Sequence, residues 1–232
     1  MSTVYLIPSF LDEEASESIP PYVMAAVKKC RVIFAENERT TRRFLKAMDR
    51  SIVIDDFEWF TIHKTEEEQA ANFKLKIKEG KDIAIISEAG CPGIADPGQS
   101  LIGIAQQMQC DVKPLVGPSS ILLALMASGF NGQQFEFVGY LPVDTNEREQ
   151  RLKLLQQHSL KNDSTKIFIE TPYRNNQLFD SMMKCCNGNT KICIGIHITG
   201  KEESIRSMTV TEWKKQKPEL HKKPVIFLLY AT

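Results

Sequence analysis

Short apolar runs alternate with amphipathic stretches through the first half of the chain. Val4–Ile7 has the length and branching of a buried strand. Pro20-Pro21 opens a helical stretch over residues 20 to 30, with Val23, Met24 and Val27 on its apolar side. Arg31–Ala35 predicts a second strand and Glu38–Met48 a helix that turns Phe44 and Leu45 inward. Trp59–Ile62 is a further strand. Thr65 at a capping position, Glu68 three residues on and Gly80 past the end bracket a helix to about Glu79. Ile83–Ser87 predicts a strand, Leu101–Gln107 a helix and Val112–Leu115 the strand that closes the series. Such alternation predicts a mostly parallel sheet with helices on both faces.

The pattern changes after residue 116. Gly117-Pro118-Ser119-Ser120 begins a helix to about Ser128, which Gly129 ends. Phe135–Tyr140, Lys166–Glu170, Lys191–Thr199 and Pro224–Tyr230 predict strands. Asp144–His158 and Arg174–Cys185 predict helices, and Thr211-Glu212-Trp213 starts a short one. Wider strand spacing and longer loops predict a second α/β domain with a mixed sheet. The expected division is 1–116 and 117–232. No internal repeat or low-complexity tract interrupts either half.

The β–α connection Ser87–Gly98 carries more than a connection needs. Twelve residues rich in glycine and proline join a predicted strand to a predicted helix, where open α/β sheets bind ligands. Its glycines permit close backbone approach, its prolines stiffen it, and Asp96 supplies a carboxylate.

Composition narrows the possibilities. The chain of 232 residues is 42% hydrophobic and 25% charged, as in globular proteins without membrane spans. The start lacks the basic and long apolar regions of a secretory signal, so a cytoplasmic location is expected. Cys30, Cys91, Cys110, Cys185, Cys186 and Cys193 fit neither a zinc spacing nor a disulfide framework. His63, His158, His197 and His221 show no paired ligand spacing, and no metal is expected. His63, near a strand end, is read as a surface histidine. Lys plus Arg equals Asp plus Glu at 29 each, which argues against a broad phosphate-binding face. Basic residues do crowd two segments, Arg31–Arg50 and Lys214–Lys223. Strand one carries no GxGxxG and no P-loop follows it, which speaks against dinucleotide and triphosphate enzymes.

The loop Ser87–Gly98, followed by Pro114-Leu115-Val116-Gly117-Pro118-Ser119-Ser120, resembles the signature of the tetrapyrrole methylase superfamily. Further segments are similar to its ribosomal RNA ribose 2′-O-methyltransferase branch. They are Ala35–Thr40, Phe137–Pro142, Phe168–Arg174 and Thr199–Glu203, in the same order over almost the whole chain. Two places depart from that branch. Ile7-Pro8-Ser9-Phe10-Leu11-Asp12 stands where a Thr-Pro-Ile-Gly-Asn loop is usual, and no C-terminal helical extension follows Thr232.

The resemblance implies a two-domain α/β fold, S-adenosyl-L-methionine held in a cleft between the domains, and a homodimer. It implies methylation of a ribose hydroxyl in small-subunit ribosomal RNA. A tetrapyrrole or other small-molecule acceptor, or a catalytically silent cofactor-binding protein, are the alternatives. Cofactor contacts are then expected from Pro8, from Glu88, Ala89 and Gly90, from Ile94, Ala95 and Asp96, and from Ser119 and Ser120 at a helix start. Ile169, Thr171, Leu228 and Leu229 are expected beside the adenine. Glu36, Glu170 and Lys201 are candidate bases for the acceptor hydroxyl. Each has a plainer role as well: Glu36 pairing with Arg39, Glu170 bonding the 171–174 turn, Lys201 solvated. Arg39 and Arg174 are candidate substrate or phosphate contacts.

Overall fold

The computed structural model describes residues 2–62 and 66–232, with the side chains of 66–68 also left aside. The expectations for His63 and for a cap formed by Thr65 and Glu68 fall outside the described residues. The chain divides into two compact units, Met1–Ser119 and Ser120–Thr232.

In the first unit β1 (Thr3–Ile7), β2 (Val32–Ala35), β3 (Glu58–Thr61), β4 (Ile83–Ile86) and β5 (Asp111–Pro114) form one sheet in the order β3-β2-β4-β1-β5. Every neighbouring pair is parallel. All four residues of β2, and all four of β4, are buried, as central strands covered on both faces require. On one face, α1 (Tyr22–Val27) and α2 (Glu38–Met48) bring Val23, Val27, Phe44 and Leu45 against Ile33, Ala84 and Ile86. On the other, α3 (Glu66–Lys78) and α4 (Gln99–Gln107) bring Phe73, Leu101 and Ala105 against Phe34 and Ile85. Asn37 caps α2, its side chain accepting from the N–H groups of Arg39 and Thr40.

In the second unit β6 (Phe135–Tyr140), β7 (Thr165–Ile169), β8 (Lys191–Ile196), β9 (Ser204–Thr209) and β10 (Val225–Tyr230) form a mixed sheet in the order β6-β7-β10-β8-β9. Only β6 and β7 are parallel. α5 (Ser120–Ser128) packs on β8, β9 and β10, and Gly129 follows it at φ +72°. The main core lies under α6 (Thr145–Asn162), α7 (Asn175–Cys185) and α8 (Val210–Trp213), around Leu152, Phe168, Phe179, Trp213 and Phe227.

Three expectations need correction here. α6 runs past His158 to Asn162, because polar side chains on its inner face are bonded rather than solvated. Gln156 Oε1 accepts from Asn187 N–H (2.7 Å) and Thr190 Oγ1 (2.8 Å), and Ser159 Oγ accepts from Ala231 N–H (2.9 Å). β8 stops at Ile196, since His197 (φ +48°) and Thr199 (φ +71°) turn the chain back into the unexpected edge strand β9. The last short helix starts at Val210, one residue early, because Thr209 and Glu212 close a capping box.

Among the described residues no helix is long and apolar enough to cross a membrane.

Candidate functional site

The strand order of the first unit fixes where a ligand site belongs. From β2 the chain moves outward to β3, whereas from β4 it moves the other way to β5. β2 and β4 are neighbours, so their outgoing connections diverge and leave a crevice at their carboxyl ends. Glu36 follows β2 and the 87–98 loop follows β4, which puts both at that crevice. The depression there, of about 500 Å³, is lined by Glu36, Arg39, Thr61, Glu88 and Pro97. A second depression of about 220 Å³ lies on the other side of Glu88, against Phe10, Thr41, Phe44 and Ala89.

The loop is held by its neighbours. Ser9 and Gly90 exchange both backbone bonds, at 2.9 and 3.0 Å, and Ser9 Oγ donates to Ser87 O at 2.8 Å. Phe10 meets Phe44 edge to face at 5.1 Å. The altered segment after β1 is therefore an integral support of the 87–98 loop. Cys91 Sγ lies 3.5 Å from Pro118 O, and Tyr22 OH accepts from Val116 N–H at 2.7 Å. These contacts seat Val116–Pro118 beside the loop. A Cβ on Gly117 would lie 2.1 Å from Pro8 Cβ, so the glycine permits the two segments to touch. Pro8, Glu36, Arg39, Glu88–Gly90, Ile94–Asp96 and Ser119 thus belong to one unit. Within it, Glu36 and Arg39 share the crevice with Glu88, and Pro8 borders the 116–118 segment.

Three carboxylates influence one another. Glu36 accepts from Glu88 N–H at 3.1 Å rather than binding Arg39. Thr40 Oγ1 donates to Glu88 Oε1 at 3.0 Å. Burial raises the Glu36 pKa, the Glu88 N–H bond opposes that, and the Glu88 charge adds to it. Asp96 is pushed up to about 7, first by burial and then by the charges of Glu36 and Glu88. A carboxyl group raised in the folded state stabilises the fold below its unfolded pKa and loses that contribution as pH rises through the folded value. Asp96→Asn is therefore expected to leave stability unchanged near pH 4 and to raise it by about 1–2 kcal/mol at pH 8, allowing for solvent screening. Urea unfolding at the two pH values measures this. Equal effects at both would contradict the assigned charge coupling.

The remaining candidates lie in the second unit. Glu170, 6% exposed, accepts through Oε1 from Thr171 N–H (2.6 Å) and from Arg174 Nε (3.0 Å) and Nη2 (2.6 Å). Glu170 and Arg174 are thus committed to each other and to the turn at the start of α7. Ile169 and Thr171 flank Glu170 and are partly accessible. Leu228 and Leu229 are completely buried. Adjacent strand residues face opposite ways, and Leu229 lies in the main core. Lys201 sits in the tight turn after β8, where Glu203 N–H donates to Gly200 O. Ser120 is the first residue of α5.

Sequence reasoning missed Thr40 and Tyr22. Asn37-Glu38-Arg39-Thr40 reads as a helix start, which hides the bond from Thr40 to Glu88. Nothing in the sequence marks Tyr22 as the acceptor for Val116.

Residues 15–214 match the family model described as tetrapyrrole (corrin/porphyrin) methylases. The chain belongs to this family. Among its relatives, "Ribosomal RNA small subunit methyltransferase I" of Vibrio cholerae is 30% identical over 176 residues, covering 74% of the chain and 60% of the relative. The protein of the same name in Mesorhizobium japonicum is 37% identical over 134 residues, covering 58% of the chain and 44% of the relative. The chain therefore spans less than two thirds of the length of either. In fold it is similar to uroporphyrin-III C-methyl transferase from Thermus thermophilus complexed with S-adenyl homocysteine. The TM-score is 0.60 at 14% identity, with 99% of this chain and 97% of that one covered.

Proposed function

We propose that this methylase transfers a methyl group from S-adenosyl-L-methionine to a ribose 2′-hydroxyl of small-subunit ribosomal RNA. The observation that carries the reading is family membership combined with relatives named as small-subunit ribosomal RNA methyltransferases. The donor supplies an electrophilic methyl group on a cationic sulfonium. The first unit suits such a molecule: Glu36 and Glu88 line the crevice, Asp96 lies within reach of their charges, and a cationic ligand relieves the repulsion among the three. The Gly117–Pro8 contact keeps two backbone segments close beside it.

In this reading Pro8, Glu88–Gly90, Ile94–Asp96, Ser119 and Ser120 bind and orient the donor, with Ile169 and Thr171 toward its adenine. Glu36 is the preferred acceptor of the hydroxyl proton, since its raised pKa brings it closer to the task. Glu170 is a poorer base because its Oε1 is already occupied by Arg174 and by Thr171 N–H. Lys201 is a third candidate. Arg39, exposed on the first turn of α2, is oriented toward substrate phosphate. Aligning hydroxyl and methyl accounts for much of the acceleration in such a displacement. The reading also includes a cytoplasmic homodimer, supported by the exposed Leu122 and Met126 one turn apart on α5.

Incubation with methyl-labelled donor and unmodified small ribosomal subunits is expected to label the RNA. Labelling of a porphyrinogen instead would transfer the reading to a macrocycle acceptor. Absence of label from both, with donor binding retained, would favour a silent cofactor-binding protein.

A further inference from the structure

A ring, a histidine and a lysine form an arrangement in the second unit that the cofactor chemistry does not use. Tyr173, in the turn before α7, is 68% exposed, far more than an aromatic ring gains from packing alone. Lys222 Nζ stands 6.0 Å from its ring centroid, and His221 meets it edge to face at 6.1 Å and 76°. The neighbours are held in place by buried bonds. Asn175, fully buried, donates through Nδ2 to Lys223 O (2.9 Å) and Leu220 O (3.4 Å). Leu220 itself is anchored in the core. Lys222, at φ +60°, donates its N–H to Pro172 O at 3.0 Å. The Glu170–Arg174 pair fixes the other side of the same turn.

His221 and Lys222 are thus fixed beside an exposed ring. The nearby acid Glu219 accepts His221 N–H at 2.9 Å, while Lys217 is already paired with Asp180 at 2.8 Å. A largely exposed ring with one ammonium over it matches one ligand chemistry closely: an unstacked base on the face away from Lys222, followed by its phosphate. The overall charge balance fits a small local contact rather than a basic face.

We infer that Tyr173, with Lys222 and His221 around it, is a stacking platform for single-stranded RNA, which rests on the RNA reading above. A base stacks on the Tyr173 ring and the adjoining phosphate meets Lys222. The platform positions substrate and takes no part in the methyl transfer itself.

Fluorescence anisotropy of a labelled single-stranded ribo-oligonucleotide, titrated with the full chain at several salt concentrations, tests this. Tyr173→Ala is expected to weaken binding about fivefold or more, and Tyr173→Phe to leave it unchanged. Lys222→Ala is expected to lower the slope of log K against log salt by about 0.7. Polyphosphate, a polyanion without bases, is expected to bind wild type and Tyr173→Ala alike. In turnover Tyr173→Ala raises KM for RNA and leaves kcat and donor affinity in place. Wild-type affinity for RNA in Tyr173→Ala, or an equal loss of polyphosphate binding, overturns the platform while RNA methylation by the wild type still upholds the substrate. A wild-type chain that neither binds nor methylates RNA overturns both.

Discussion

Gly117→Ala is expected to destabilise the first unit by about 3 kcal/mol and to weaken donor binding about tenfold. The new methyl would stand 2.1 Å from Pro8 Cβ and 2.5 Å from Pro8 Cγ. A flexible side chain rotates away from such a contact, but the proline ring is closed onto its own backbone. Relief therefore requires moving the β1 exit or the 116–118 segment. Either movement disturbs the support of the 87–98 loop, through the Ser9–Gly90 bonds or the Cys91–Pro118 contact. Denaturant unfolding and calorimetric titration of S-adenosyl-L-methionine measure the two losses. Pro8→Gly added to Gly117→Ala should restore part of the stability, because it removes both clashing carbons, Cβ and Cγ; strictly additive losses would refute direct contact.

Glu170→Ala is the second large effect, about 3 kcal/mol, and separates two meanings of that residue. One carboxylate oxygen accepts three hydrogen bonds inside the turn that begins α7. Truncation leaves Thr171 N–H and part of a guanidinium without an acceptor in a largely buried place. Melting should fall clearly, and Glu170→Gln, which retains an acceptor, should fall less. A catalytic base would behave differently, with normal melting, a collapse of kcat and a lost acidic limb in the pH profile. The bonding pattern predicts the first outcome.

The contrast between the two glutamates illustrates what the chain discloses before it folds. The bonding of Glu170 to its own 171–174 turn is local and was a legible alternative, whereas its partner Arg174, four residues on, reads in the sequence as a phosphate contact. Glu36, Glu88 and Asp96 come together only because β4 is inserted next to β2 after β3 has been placed at the edge. That adjacency is nonlocal, and no spacing encodes it. The central strands β2 and β4 were plain because every residue in them is buried and apolar. β9 was hidden for the opposite reason. It is a mostly polar edge strand, with Ser204, Arg206, Ser207 and Thr209 among its six residues, reached through positive φ at His197 and Thr199 rather than at glycines. The end of α6 was hidden by Gln156 and Ser159, which are polar yet buried by bonding. Glycine and proline density exposed the 87–98 loop.

The most direct test is the chemical position of the transferred methyl group. Small-subunit RNA labelled by the full chain from methyl-tritiated S-adenosyl-L-methionine would be hydrolysed in alkali and the products separated. A ribose 2′-O-methyl group blocks attack by that oxygen on the neighbouring phosphate, so the account predicts label in an alkali-resistant dinucleotide. Label confined to ordinary mononucleotides, as base methylation produces, or no label in RNA at all, would contradict it.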